Sequence, residues 1–150
     1  MSPKKKSIII LVADDDAEDR MLVKEALEEN RLKNDLHFVE NGEELIDYLH
    51  NRGKFTDKDV YPTPGLILLD LNMPKKDGRE ALKEIKEDPH LRLIPVVVLT
   101  TSKAEEDILK TYNLGVSSFI TKPVTFSALV DIMKTLSAYW FEIVKLPKIN

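Results

Sequence analysis

Three short runs of Ile, Val and Leu, at Ile8 to Ala13, Leu66 to Leu69 and Val96 to Leu99, each stop abruptly at a carboxylate or a hydroxyl. They are continuously apolar rather than alternating, so each needs cover on both faces, as strands inside a parallel sheet do. Two weaker strand candidates, Leu36 to Val39 and Ser118 to Thr121, fall between segments whose apolar residues recur at helical spacing. The order is strand then helix, five times over. Such alternation implies an α/β fold: a doubly wound parallel sheet with right-handed crossovers and helices on both faces. Ligands of such sheets bind beyond the carboxyl ends of the strands, where the strand order reverses.

The helices have recognisable limits. The first spans about Ala17 to Asn30 with Asp16 as N-cap, and the second begins near Gly42 and carries Leu45, Ile46 and Leu49. The third starts around Gly78 and must stop near Pro89, the fourth occupies roughly Ala104 to Leu114, and the fifth begins near Thr125 and extends toward Pro147. Between the second helix and the third strand, Arg52 to Pro64 reads as a charged, proline-terminated surface loop.

A chain of 150 residues, 43% hydrophobic and 32% charged, suits one domain covering 1–150, with a basic tail at 1–6 and an extended C-terminal helix and tail at 125–150. No separate output domain is expected. The apolar run after Lys4, Lys5 and Lys6 is too short for a signal peptide or a membrane span. With 22 Lys+Arg against 26 Asp+Glu the formal charge is -4, which disfavours direct nucleic-acid binding. Cysteine is absent, and a cytoplasmic location is the expectation.

The chemistry is concentrated at the strand ends. Strand one ends in Asp14, Asp15 and Asp16, strand three in Asp70, strand four in Thr100 and Thr101, and strand five leads into Lys122 and Pro123. Each group alone is an ordinary turn, cap or surface residue. Four strand ends delivering carboxylates, a hydroxyl and an ammonium to one crevice are better read as a site. Clustered carboxylates repel one another and recruit a hard cation, and Mg²⁺ takes oxygen ligands while bridging carboxylate to phosphate. Asp70 as nucleophile, with Mg²⁺, Thr100 and Lys122 around the equatorial oxygens, would supply the parts of phosphoryl transfer.

This set resembles the receiver domain of two-component response regulators, matching it from Ser7 through about Leu136. The carriers are the Asp14-Asp15 pair, Asp70 within Leu-Leu-Asp-Leu-Asn-Met-Pro, Gly78 closing that loop, Thr100 after Pro95 and the fourth strand, and Lys122-Pro123. The resemblance implies a flavodoxin-like sheet of order 2-1-3-4-5. It also implies a signalling phospho-acceptor rather than an enzyme acting on separate substrates, phosphorylated on Asp70 by the phosphohistidine of a histidine kinase. Asp15 and Asp70 would be direct Mg²⁺ ligands, Asn72 would add its backbone carbonyl, and Asp14 would act mainly through bound water. Thr100 and Lys122 would contact the phosphoryl group, and a cis bond is implied at Pro123. Switching would couple Thr100 to Phe119 on strand five, which lacks the hydroxyl of a tyrosine. The output surface would be helix four, strand five and helix five.

The long second loop and the apolar C-terminus are similar to stand-alone receivers that partner bacterial phytochromes and related kinases. On a helical wheel Phe126, Leu129, Val130, Met133, Leu136, Trp140 and Val144 form one stripe, while Ile132, Tyr139, Ile143 and Leu146 extend it round a second side. One stripe serves the core. The second is a candidate partner or homodimer surface, or folds back onto the domain.

Rival readings are weaker. A phosphohydrolase of the haloacid-dehalogenase type requires an acidic residue two positions after the nucleophile, where this chain has Asn72. The five glycines form neither a dinucleotide fingerprint nor a P-loop. A scaffold that has lost phosphorylation is not supported, because every expected site residue is present. His37, His50 and His90 lie apart, without metal-ligand spacing.

Overall fold

A computed structural model describes residues 9–29, 35–101, 105–122 and 125–137. Five strands, β1 (Ile9–Ala13), β2 (Asp35–Val39), β3 (Leu66–Leu69), β4 (Val96–Thr100) and β5 (Ser118–Thr121), form one parallel sheet in the order β2-β1-β3-β4-β5. Between and after them run α1 (Ala17–Glu29), α2 (Gly42–Leu49), α3 (Gly78–Glu87), α4 (Glu105–Asn113) and α5 (Phe126–Ser137). The strand order reverses between β1 and β3, so the crevice opens above Ala13 and Leu69, which are paired in register.

The period-two geometry of the strands divides the core. Leu11, Ala13, Ile67, Leu69, Val96 and Val98 point to one face, where Leu45 and Ile46 of α2 and Ala81, Leu82 and Ile85 of α3 cover them. Their neighbours Ile10, Val12, Leu66, Leu68, Val97 and Leu99 point the other way, onto Val23, Ala26 and Leu27 of α1 and Leu129 and Met133 of α5. This is why β3 and β4 are buried at every position, and why they read as unbroken apolar runs.

Two expectations need correction. The segment after α2 is not simply a surface loop: a 3-10 turn at Gly53–Phe55 buries Phe55 against Tyr48 and Tyr61, and the Tyr48 hydroxyl donates to Pro62 O at 2.9 Å. The aromatic rings supply enough apolar area to draw the loop inward despite its charges. Phe126, placed on the core stripe of the fifth helix, is instead 41% exposed, whereas Leu129 and Met133 are buried. A wheel gives the angle of a side chain but not whether anything lies opposite it.

α4 is attached differently from the other helices. Among the described residues it contributes no side chain to either apolar cluster; its one buried residue is Thr111, while Leu109 and Tyr112 are exposed. Arg79 of α3 holds it through paired bonds to Asp107, at 2.7 and 2.6 Å, and Tyr112 Oη accepts from the Phe119 backbone N–H at 3.2 Å. No helix among the described residues is long and apolar enough to cross a membrane.

Candidate functional site

The strand ladder carries the acidic residues to the top of the sheet. Asp70 N–H donates to Ala13 O at 2.9 Å and Asp14 N–H to Val39 O at 3.1 Å, so both residues continue their strands by one step before the chain turns. Lys122 is placed the same way, its N–H donating to Thr100 O at 2.8 Å.

The side chains converge. Thr100 Oγ1 donates to Asp70 Oδ1 at 2.7 Å, both residues being buried. Lys122 Nζ donates to Asp14 Oδ2 at 2.7 Å and to Asp70 Oδ2 at 3.1 Å. Asp15 is exposed beside them, and carboxylate oxygens of Asp14, Asp15 and Asp70 lie within 4.8 Å of one another. Asn72 is exposed and donates its N–H to Asp70 Oδ1 at 3.1 Å, closing the turn that aims the Asp70 carboxylate.

That turn depends on Gly78. A methyl on Gly78 would overlap the Asp70 carbonyl oxygen and lie 2.7 Å from the Leu71 Cα. Gly78 N–H donates to Leu71 O at 3.0 Å, and Asp77 caps α3 by accepting from Arg79 N–H at 2.8 Å. The loop leaving Asp70 and the start of α3 are therefore one tightly packed unit.

Opposing effects set the electrostatics. Burial pushes the Asp14 carboxyl up to about 6, with the Lys122 ammonium pulling the other way. Burial would depress the Lys122 ammonium, but the hydrogen bonds it donates to Asp14 and Asp19 outweigh this and hold the group charged above the ordinary lysine range. One ammonium stands among more carboxylates than it can neutralise. The oxygen-only donor set fits a hard divalent cation.

Sequence reasoning named Asp14, Asp15, Asp70, Asn72, Thr100 and Lys122, and the fold brings them to one crevice. Phe119 lies elsewhere, half-buried against the α2/α3 face of the core. Ile132 is partly buried against the opposite core cluster and lines a cavity of about 540 Å³ with Ile120 and Leu136. Pro123, Tyr139, Ile143 and Leu146 lie outside the described residues.

Asp19 is the residue that sequence reasoning missed. It accepts from Lys122 Nζ at 2.7 Å. The available signal was its place in the first turn of α1, three residues after the Asp16 cap, above the crevice. Arg20, next to it, donates to Asp14 O at 2.7 Å and seats this turn on the end of β1.

The chain is similar to known proteins. The family model described as "Response regulator receiver domain" matches residues 10–134. Response regulator Rcp1 of Synechocystis sp. (strain ATCC 27184 / PCC 6803 / Kazusa) is 40% identical over 139 residues, 93% of this chain and 92% of that one. The crystal structure of the phosphorylated cyanobacterial phytochrome response regulator RcpA is 41% identical, with a TM-score of 0.88 over 95% of this chain and 100% of its own. The crystal structure of the Mn²⁺-bound form of Rcp1 is 40% identical, with a TM-score of 0.85 over 94% of this chain and 99% of its own. With its sheet order, its acidic crevice and these likenesses in agreement, the chain belongs to the response-regulator receiver domains of two-component signalling.

Proposed function

We propose that this chain is a single receiver domain that takes a phosphoryl group onto Asp70 in a Mg²⁺-dependent reaction. The observation that carries the reading is the Asp70 carboxylate, buried and aimed by Thr100 Oγ1 and Lys122 Nζ at 2.7 and 3.1 Å, beside Asp14 and Asp15. In the reaction an Asp70 carboxylate oxygen attacks phosphorus. The bond from phosphorus to the nitrogen of a kinase phosphohistidine breaks, and its electron pair stays on the imidazole. Thr100 and Lys122 then donate to the phosphoryl oxygens.

Asp15, Asp70 and the Asn72 backbone carbonyl would hold Mg²⁺ directly, with Asp14 acting mainly through bound water. The Mn²⁺-bound form of Rcp1 supports binding of a divalent cation. When bound, the ion supplies positive charge that relieves the carboxylates and offsets the incoming phosphoryl group. The chain's own phosphorylation and dephosphorylation are the only reactions it would catalyse.

Similarity to the phytochrome response regulator RcpA supports a phytochrome-type histidine kinase as phosphoryl donor, and the exchange is expected in the cytoplasm. Output would pass through α4, β5 and α5, with Thr100 and Phe119 as the switching pair. Ile132, together with Tyr139, Ile143 and Leu146, would serve partner docking or homodimer formation.

Intact-mass spectrometry after incubation with acetyl phosphate tests the acceptor chemistry. A gain of one phosphoryl group that requires Mg²⁺ and is absent in Asp70→Ala supports it. No gain in folded, Mg²⁺-binding protein overturns it.

A further inference from the structure

Lys122 has no donor left over. A lysine ammonium carries three N–H bonds, and here they go to three different carboxylates, Asp14 at 2.7 Å, Asp19 at 2.7 Å and Asp70 at 3.1 Å. A phosphoryl oxygen at Asp70 can gain a bond from Lys122 only if one of these partners gives way. Asp70 is the group being modified, and Asp14 is fixed beneath the crevice with its side chain 5% exposed. Asp19 is the odd member: its side chain is 32% exposed, it sits on a helix rather than a strand end, and water can take over its hydrogen bonds when Lys122 leaves.

The surroundings favour that exchange. The backbone of Asp19 is held in place, its N–H donating to Asp16 Oδ1 at 3.3 Å, while neighbouring Arg20 anchors the turn to Asp14 O. The backbone that carries the carboxylate therefore stays in place when Lys122 moves. Beside the lysine stem lies a cavity of about 50 Å³, lined by Asp19, Leu22, Val23, Leu99, Lys122 and Leu129. It gives the aliphatic stem room to shift without displacing a packed neighbour.

We infer that Asp19 is a positioning residue that holds Lys122 in the unphosphorylated domain and competes with the phosphoryl group for its ammonium. It thereby weakens the grip on the phosphoryl group and shortens the life of the active state. The inference rests on the acceptor reading of Asp70.

The test titrates the Mg²⁺-loaded protein with beryllofluoride, a non-covalent phosphoryl mimic, and reads the apparent Kd from amide shifts. Asp19→Asn keeps the shape and removes the charge, and its Kd is expected to fall about two- to fivefold, the scale of a partly exposed ion pair. In a Lys122→Ala background the same substitution is expected to leave the Kd unchanged, because the competition runs through the ammonium. The Lys122 ammonium resonance should also shift in Asp19→Asn before any mimic is added. Equal affinity in wild type and Asp19→Asn overturns the inference. So does an equal gain in the Lys122→Ala background, which would mean simple repulsion between Asp19 and the anion. Wild-type protein that binds no beryllofluoride and gains no mass from acetyl phosphate strikes the acceptor reading itself.

Discussion

Thr100 Oγ1 and Asp70 Oδ1 lie 2.7 Å apart in a buried hydrogen bond that joins the ends of β4 and β3. The hydroxyl thus has a partner before any phosphoryl group arrives. Thr100→Val keeps the shape and leaves that carboxylate oxygen one donor short. The expected result is a loss of about 1–3 kcal/mol in urea unfolding. Phosphoryl gain from acetyl phosphate is expected to slow while remaining dependent on Asp70. Thr100→Ser should recover most of both.

Lys122→Met removes the cation shared by Asp14, Asp19 and Asp70. Leaving carboxylates buried without their partner is expected to cost about 3–5 kcal/mol in metal-free protein. A divalent cation supplies replacement charge, so the loss measured by thermal unfolding should be smaller in Mg²⁺ than in EDTA. An equal loss in both would place the cation away from these carboxylates.

Gly78→Ala sets a methyl against the backbone of Asp70 and Leu71. The obstacle is main chain rather than a flexible side chain, so the loop must move and carry Asp70 with it. A destabilisation of at least about 1–3 kcal/mol is expected. The acceptor rate should fall further than that of an equally destabilised core variant such as Ile85→Val.

The pH dependence follows from Asp14, whose carboxyl burial pushes from 3.8 to about 6. A folded-state value above the unfolded one means that folded metal-free protein holds an extra proton between these values. This group's contribution to stability therefore falls as pH rises through that window. A metal ion favours the ionised form, so apparent Mg²⁺ affinity should climb with pH through about 6 and level off above it. Calorimetric titrations over this range check the sign, and Asp14→Asn should flatten the profile.

Arg79 grips Asp107 with two bonds that an ammonium cannot reproduce. Arg79→Lys is therefore expected to speed hydrogen exchange in α4 while leaving the amides of β1 and β3 protected. Uniform acceleration across the domain would instead mean a loss of global stability.

The inner strands were legible because burial on both faces leaves no polar interruption, and Asp70 and Thr100 were legible because each terminates such a run, whereas Lys122 follows the half-buried β5 and its weaker signal. The crevice follows from topology, as parallel strands must end on one edge. Asp19 was not legible, because a carboxylate in the first turn of a helix is ordinary and only the reach of Lys122 across the sheet gives it a role. Phe55 escaped for another reason. Its burial depends on Tyr48 and Tyr61 closing round it from either side of an irregular loop, and no strand or helix periodicity encodes that.

The polar attachment of α4 has a thermal consequence. Heat-capacity change follows the apolar surface exposed, and α4 keeps its apolar side chains out of both clusters. Shifting this helix against the sheet uncovers little oily surface. Any equilibrium between its positions should keep nearly the same balance across the temperatures at which the domain is folded, even as the stability of the whole rises and falls. A signal carried by α4 would then report the chemistry at the strand ends rather than the warmth of the surroundings.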